Sequence, residues 1–276
     1  MLKSELDELI EKSFEQAKET CVCEKCYKEK ATPLIFPILE QQKAILISEA
    51  PYNFPPPEIV ERRKFHWTKY IKQDLDRFIY CELVPYLTSP RSQGIPENIF
   101  DFISLIFHPL IKECKTKEHG IKTFLNNVYW THMAKKSLKG ISKNGAISKC
   151  LEKFPQEFNC IYEKCGNNIK LFIICTSYFY NKFTKYPKWE LITNQQFVIL
   201  ETEDRLLKID DILVPSKSNR KVDSSIRECI EALKQFKDCH IVFFPNPSKA
   251  NAGRKRDFFA KEEVKLILKL VYDLLS

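Results

Sequence analysis

The sequence contains few glycines, and this scarcity excludes the commonest nucleotide-binding loops. Only six of the 276 residues are glycine. Their spacing allows neither the G-x-G-x-x-G motif of dinucleotide-binding folds nor the G-x-x-x-x-G-K-[ST] motif of P-loop proteins. The five histidines form no H-E-x-x-H pair. Nucleotide sites of these two kinds and the corresponding zinc-protease site are therefore ruled out.

Long apolar runs are missing as well. No stretch approaches the roughly 18 apolar residues of a membrane-spanning helix, and residues 1–12 alternate in charge where a signal peptide would be apolar. The eleven cysteines are an odd number in a chain too long to need disulfide stapling, so reduced thiols are expected. We therefore expect an intracellular, cytoplasmic protein with no membrane partner.

The composition is that of a globular protein, with 44% apolar and 29% charged residues. Residues 1–276 fit a single large α/β domain, because one hydrophobic core stops growing at roughly 250 to 300 residues. The net charge of +8 fits either a lysine-rich solvated surface or a polyanionic partner.

Short apolar runs alternate with helical patterns along the chain. Strands are predicted at 44–47, 128–131, 171–175 and 240–244, and helices at 58–82, 99–111, 146–164, 224–236 and 259–275. An N-terminal helix and a cysteine cluster occupy residues 1–40, and an inserted hairpin is expected within 190–220. Strands separated by helices imply crossover connections. The predicted fold is a three-layer α/β/α sandwich around a central, mainly parallel four-stranded sheet.

Three polar segments follow predicted strands, where such folds bind ligands. Residues 48–53 read Ser-Glu-Ala-Pro-Tyr-Asn, residues 131–135 read Thr-His-Met-Ala-Lys, and residues 245–248 read Pro-Asn-Pro-Ser. In this order they resemble the motifs of the uracil-DNA glycosylase superfamily. The first segment resembles the family motif that reads G-E-A-P-G in one branch and G-Q-D-P-Y-H in another. The second segment stands where the iron–sulfur branch has a strand ending in Thr-Asn. The third segment resembles the N-P-S loop of the family. The resemblance implies a uracil-DNA glycosylase-like fold.

The resemblance also assigns roles around the base. Glu49 would stabilise the positive charge that develops on the sugar when the base leaves; the alternative is a glutamate that caps a backbone amide at the strand end. His132 stands where the family has an asparagine that reads uracil; the alternative is a histidine hydrogen-bonded below the strand end. Tyr52 would wall off the C5 side of a pyrimidine, Asn53 closes the same motif, and Phe65 resembles the aromatic that stacks on the flipped base. For Tyr52 and Phe65, a place in the core or wall is the alternative.

The third segment and the charges behind it predict a phosphate-binding surface. Asn246 and Ser248 lie in a tight loop before a helix, which suits a phosphate. The cations that follow are Lys249, Arg254, Lys255 and Arg256. A solvated face is the alternative for this run. Ala250 stands where several branches of the family have a leucine wedge.

The cysteines raise the question of a metal. The spacing of Cys23 and Cys26 resembles the N-terminal pair of the iron–sulfur branch, and Cys150 and Cys165 would complete a four-thiolate set. Such a set would hold a structural 4Fe-4S cluster or zinc, and no cofactor is expected for the chemistry itself.

Together these features predict a monomeric, DNA-associated enzyme. We expect a monofunctional DNA glycosylase that flips out a modified pyrimidine, such as a bulky modified cytosine in foreign or phage DNA, and leaves an abasic site. The alternatives are a uracil-DNA glycosylase of base-excision repair, a catalytically silent DNA-binding relative, and a nucleoside hydrolase that uses the same crevice.

Overall fold

The computed structural model describes a central sheet and helical segments around it. The described residues are 8, 36, 38–49, 102–103, 105–107, 110, 114, 117–133, 150, 152–166, 168–175, 192–194, 197–199, 207–208, 221–244 and 262–275. The strands are β1 (Ala44–Ser48), β2 (Val128–His132), β3 (Leu171–Cys175), β4 (Ile192–Asn194), β5 (Phe197–Ile199), β6 (Leu207–Lys208) and β7 (His240–Phe243). The helices are α1 (Lys117–Asn127), α2 (Phe154–Cys165), α3 (Lys221–Leu233) and α4 (Glu262–Leu275).

The main sheet has the order β2-β1-β3-β7-β6. The first four of these strands are parallel, and the two-residue strand β6 pairs antiparallel with β7 at the edge. The predicted α/β fold with four parallel strands is confirmed, and β6 adds a fifth, antiparallel strand. In the interval of the expected insertion, β4 and β5 form a separate antiparallel pair.

The parallel strands are short apolar runs because both faces of the sheet are covered. Every residue of β1, β2 and β3 is buried. β-Branched and aromatic side chains fill these positions, as is typical of a parallel sheet with helices on both sides. The polar exceptions, Ser48, Thr131 and His132, all lie at the carboxyl ends of β1 and β2.

Described helical residues contact both faces of this sheet. The ring of Phe158 on α2 packs edge-on against Phe172 of β3, and Phe236, just after α3, packs against the same ring. On the opposite face, Phe102 in the helical residues 102–103 packs against Phe244 at the end of β7. Since successive strand residues point to opposite faces, Phe172 and Phe244 mark the two sides.

The remaining regions of the sequence prediction are covered only in part. Of residues 1–40, the structure describes Glu8, which is helical and exposed, Phe36 and residues 38–40. The predicted helix at 146–164 is observed as α2, which begins eight residues later, where Pro155 occupies the first turn. Among the residues that the structure describes, none of the helices is long and apolar enough to span a bilayer.

Candidate functional site

The three motif segments begin at the same edge of the sheet. Strands β1, β2 and β7 run parallel, so their carboxyl ends, Ser48, His132 and Phe243, all lie at this edge. The backbone N–H of Met133 donates to the carbonyl of Ser48 at 2.8 Å, which joins the first two segments where they leave the sheet. The three motif segments therefore start from the same end of the sheet.

The strand order also marks a position along this edge. The chain passes from β1 to β2 on one side of β1, and later from β3 to β7 on the other side. Where the direction of winding reverses, the loops after the two central strands diverge and leave a crevice that binds ligands in open α/β sheets. By this rule, such a crevice is expected beyond the carboxyl ends of β1 and β3. Glu49 is the first residue after β1, and Cys175 is the last residue of β3.

Glu49 lies in a bend directly after β1 and is half-buried. Burial raises the pKa of the Cys175 thiol, and the nearby Glu49 carboxylate raises it further, against the opposing effect of a backbone hydrogen bond. The Cys175 thiol donates to the carbonyl of Ile47 at 3.3 Å. Of the residues described at this point, Glu49 supplies a carboxylate beside the buried Cys175 thiol.

His132 is the last residue of β2 and its side chain is 1% exposed. Its Nδ1 lies 2.6 Å from the Oγ of Ser48, the residue beside it on β1. The indole N–H of Trp130 donates to the same Oγ at 2.9 Å. The imidazole packs against the rings of Trp130 and Phe36, with centroids 5.1 and 6.3 Å away. This geometry matches the alternative of a histidine hydrogen-bonded at the strand end.

The other face of β2 carries a second polar cluster. Glu157 of α2 is 1% exposed, and its Oε1 accepts hydrogen bonds from the hydroxyls of Tyr129 and Thr131, both at 2.7 Å. Sequence reasoning missed this cluster. The signal was present, because Glu157 falls at the three- and four-residue spacing of the buried positions Phe154, Phe158 and Ile161.

Most of the other predicted site residues lie outside the described part of the chain. They are Cys23, Cys26, Tyr52, Asn53, Phe65, Asn246, Ser248, Lys249, Arg254, Lys255 and Arg256. Of the predicted catalytic pair, Glu49 and His132 both lie at the carboxyl edge, on adjacent strands. Sequence reasoning also missed Ser48 and Trp130 as partners of His132.

The described members of the predicted thiolate set do not come together. Cys150 lies just before α2, where its carbonyl accepts from the backbone N–H of Lys153, and Cys165 is the last residue of that helix. Cys150 precedes the start of α2 and Cys165 ends it, and the twelve-residue helix alone spans roughly 16 Å, whereas thiolates on one zinc ion lie within about 5 Å of each other. Burial raises the pKa of the Cys165 thiol to about 12.

The described cysteines also show no other metal centre. Within the described part of the chain, no group of three or more His, Cys, Asp or Glu side chains is arranged to hold a metal ion. All seven cysteines there are thiols, as expected for a reduced protein.

Comparisons with protein-family models, with curated proteins and with solved structures find no match for this chain. Its function has to be inferred from its own residues.

Proposed function

We propose that this protein is a monofunctional DNA glycosylase similar to the uracil-DNA glycosylases, which hydrolyses the N-glycosidic bond of a modified pyrimidine. The observation that carries the proposal is the position of Glu49. It is a half-buried carboxylate at the switch point of a parallel sheet, at the edge where the three motif segments begin. The finer assignment, a bulky modified cytosine in foreign DNA, rests on the sequence resemblance.

The chemistry of base loss explains why a carboxylate is needed there. Breaking the bond between base and sugar builds positive charge on the sugar, and a fixed negative group stabilises that charge most strongly where water is excluded. Glu49 supplies a carboxylate at this point, and its half-buried side chain is partly shielded from water. Ala50 stands where one branch of the family has an aspartate that activates water. In this chain Glu49, or a water that it holds, would take over that step.

Departure of the base also requires a donor near the base. His132 is assigned this role by the resemblance, and its hydrogen bond with Ser48 already engages its Nδ1. A base would have to meet the imidazole at Nε2. Because the side chain is 1% exposed, this contact requires a rearrangement of the residues that cover it. That His132 reads the base stays a prediction, and its contact with Ser48 supports a structural role as well.

The proposal is tested with oligonucleotides that carry uracil, hypoxanthine or a modified cytosine, followed by alkaline cleavage of abasic sites. The wild-type protein should release one of these bases. Glu49→Gln should lower the single-turnover rate on that substrate by on the order of 100-fold or more, by analogy with the loss of one electrostatic stabiliser. Affinity for the DNA should be unchanged, since the carboxylate acts on charge that exists only in the transition state.

Glu163→Gln is the matched control, because Glu163 is exposed on α2. It removes the same charge near the end of α2 that leads into the amino end of β3, away from the carboxyl edge. This substitution should leave the rate unchanged. Equal rates for wild type and Glu49→Gln would exclude Glu49 from the chemistry. Binding of DNA without release of any base would favour the silent DNA-binding relative, and release of uracil alone would favour the base-excision enzyme.

A further inference from the structure

Ser48 has a complete set of hydrogen bonds in the structure. Its Oγ accepts from the indole N–H of Trp130 at 2.9 Å, lies 2.6 Å from Nδ1 of His132, and reaches the carbonyl of Thr131 at 3.5 Å. Its backbone carbonyl accepts from Met133 at 2.8 Å. The residue just before Glu49 is thus held to β2 by both its side chain and its main chain.

The chemistry of the donors fixes the direction of one of these bonds. An indole nitrogen only donates, so Ser48 accepts from Trp130 and has one proton of its own to give. The carbonyl of Thr131 at 3.5 Å is an acceptor for that proton, at the limit for a hydrogen bond. Because the hydroxyl oxygen also has a second lone pair, a neutral His132 completes the 2.6 Å contact through Nδ1 in either tautomer, as acceptor or as donor.

The surroundings of the ring favour this neutral form. His132 is 1% exposed and packs against Trp130 and Phe36, which stack on each other with centroids 5.0 Å apart. A charged imidazole would lose its hydration among these rings.

We propose that Ser48 is a positioning residue, which accepts from Trp130, holds His132 in one tautomer through Nδ1, and clamps the end of β1 from which Glu49 emerges. The link to Glu49 rests on the proposed function. Because Glu49 directly follows Ser48, loosening this clamp moves the carboxylate relative to the crevice. A misplacement of about 1 Å at a reacting group lowers rates by on the order of 100-fold.

The tautomer is measured without reference to activity. In protein labelled with nitrogen-15 at histidine, long-range proton–nitrogen correlation spectra distinguish a protonated from an unprotonated ring nitrogen. The wild-type spectrum should show a neutral His132 in a single tautomer, with one ring nitrogen protonated and the other not. Trp130→Phe, which keeps an aromatic ring against Phe36, and Ser48→Ala should both reduce this preference. A wild-type ring that populates both tautomers equally would overturn the claim that Ser48 fixes the ring.

The positioning role is measured by separating rate from affinity. Ser48→Ala should lower the single-turnover rate by on the order of 10- to 100-fold, with unchanged affinity for the oligonucleotide, and Ser48→Thr, which keeps the hydroxyl, should restore most of it. Tyr129→Phe is the matched control, since it removes a buried hydroxyl from β2 on the face away from Ser48. A rate for Ser48→Ala equal to that of Tyr129→Phe would overturn the positioning role.

The results of these two measurements distinguish a failure of the positioning role from a failure of the proposed function. If Glu49→Gln loses activity while Ser48→Ala does not, the glycosylase proposal stands and the positioning role falls. If the wild-type protein releases no base, the glycosylase proposal falls together with the link to Glu49. In that case the spectrum of His132 still decides whether Ser48 fixes its tautomer.

Discussion

Replacing Glu157 with leucine should strongly destabilise the protein, because the carboxylate satisfies two buried hydroxyls at once. Its Oε1 accepts from Tyr129 and Thr131 at 2.7 Å, and the side chain is 1% exposed. A hydrogen bond to a charged group contributes about 1.5 to 3 kcal/mol, so the loss of both should lower the free energy of unfolding by about 3 to 6 kcal/mol. This is a large share of the roughly 5 to 15 kcal/mol that stabilises a typical domain.

The same reasoning predicts that further substitutions rescue the protein. If all three polar groups are replaced by apolar ones of similar shape, no hydroxyl is left that depended on Glu157. The triple variant Glu157→Leu/Tyr129→Phe/Thr131→Val should therefore recover at least half of the lost stability. Urea unfolding at 25 °C measures each variant, and equal slopes show that the same surface is exposed.

A triple variant less stable than Glu157→Leu alone would refute the claim that the two hydroxyls depend on this carboxylate. Should Glu157→Leu fail to fold, Tyr129→Phe provides the milder test. It removes one of the two hydrogen bonds and should lower the free energy of unfolding by about 1.5 to 3 kcal/mol.

Two further predictions concern the cationic run and the buried thiols. Changing Arg254, Lys255 and Arg256 together to alanine should weaken binding to all DNA sequences alike. It should also reduce the slope of log affinity against log salt by about 0.9 for each duplex phosphate that the variant no longer neutralises. An unchanged slope would show that these three residues form only a solvated face. Burial raises the pKa of Cys165 from its ordinary value of 9.0 to about 12, and burial likewise raises the pKa values of Cys175 and Cys229. Since unfolded thiols ionise first, the free energy of unfolding should fall as pH rises from about 9 towards about 12, and Cys165→Ala should make that fall shallower.

The four parallel strands were predictable because each is a short apolar run between polar segments. The sequence limits of β3 agree with the structure, those of β1 and β2 were one residue short, and those of β7 were one residue long. The residues omitted from β1 and β2 are polar, Ser48 and His132. Their side chains assigned them to the polar segments after the strands, although both are buried.

The contacts of these polar residues could not be predicted in the same way. Ser48 and His132 are 84 residues apart in the chain, and their pairing depends on the register of two parallel strands. Periodicity places a residue on a face of the sheet, but it does not say which residue of a distant strand lies beside it. The order of strands and loops was enough to predict a site at the carboxyl edge. Its hydrogen bonds could not be predicted without the register of the strands.

The polar groups of β1 and β2 are what defines this register. Apolar strands such as β1 and β3 keep the same faces after a slip of two residues, because side chains alternate with a period of two. Between β1 and β2 such a slip would break specific bonds at both ends. At the start, the buried amide of Gln42 donates to the carbonyl of Leu125 at 2.8 Å, and at the end Ser48 contacts His132.

The buried polar residues thus select one alignment among several that would bury the same apolar surface. That alignment sets Glu49 next to Met133 at the carboxyl edge. Substitutions at Gln42 and at Ser48 should therefore both disturb the crevice, although only Ser48 lies beside it.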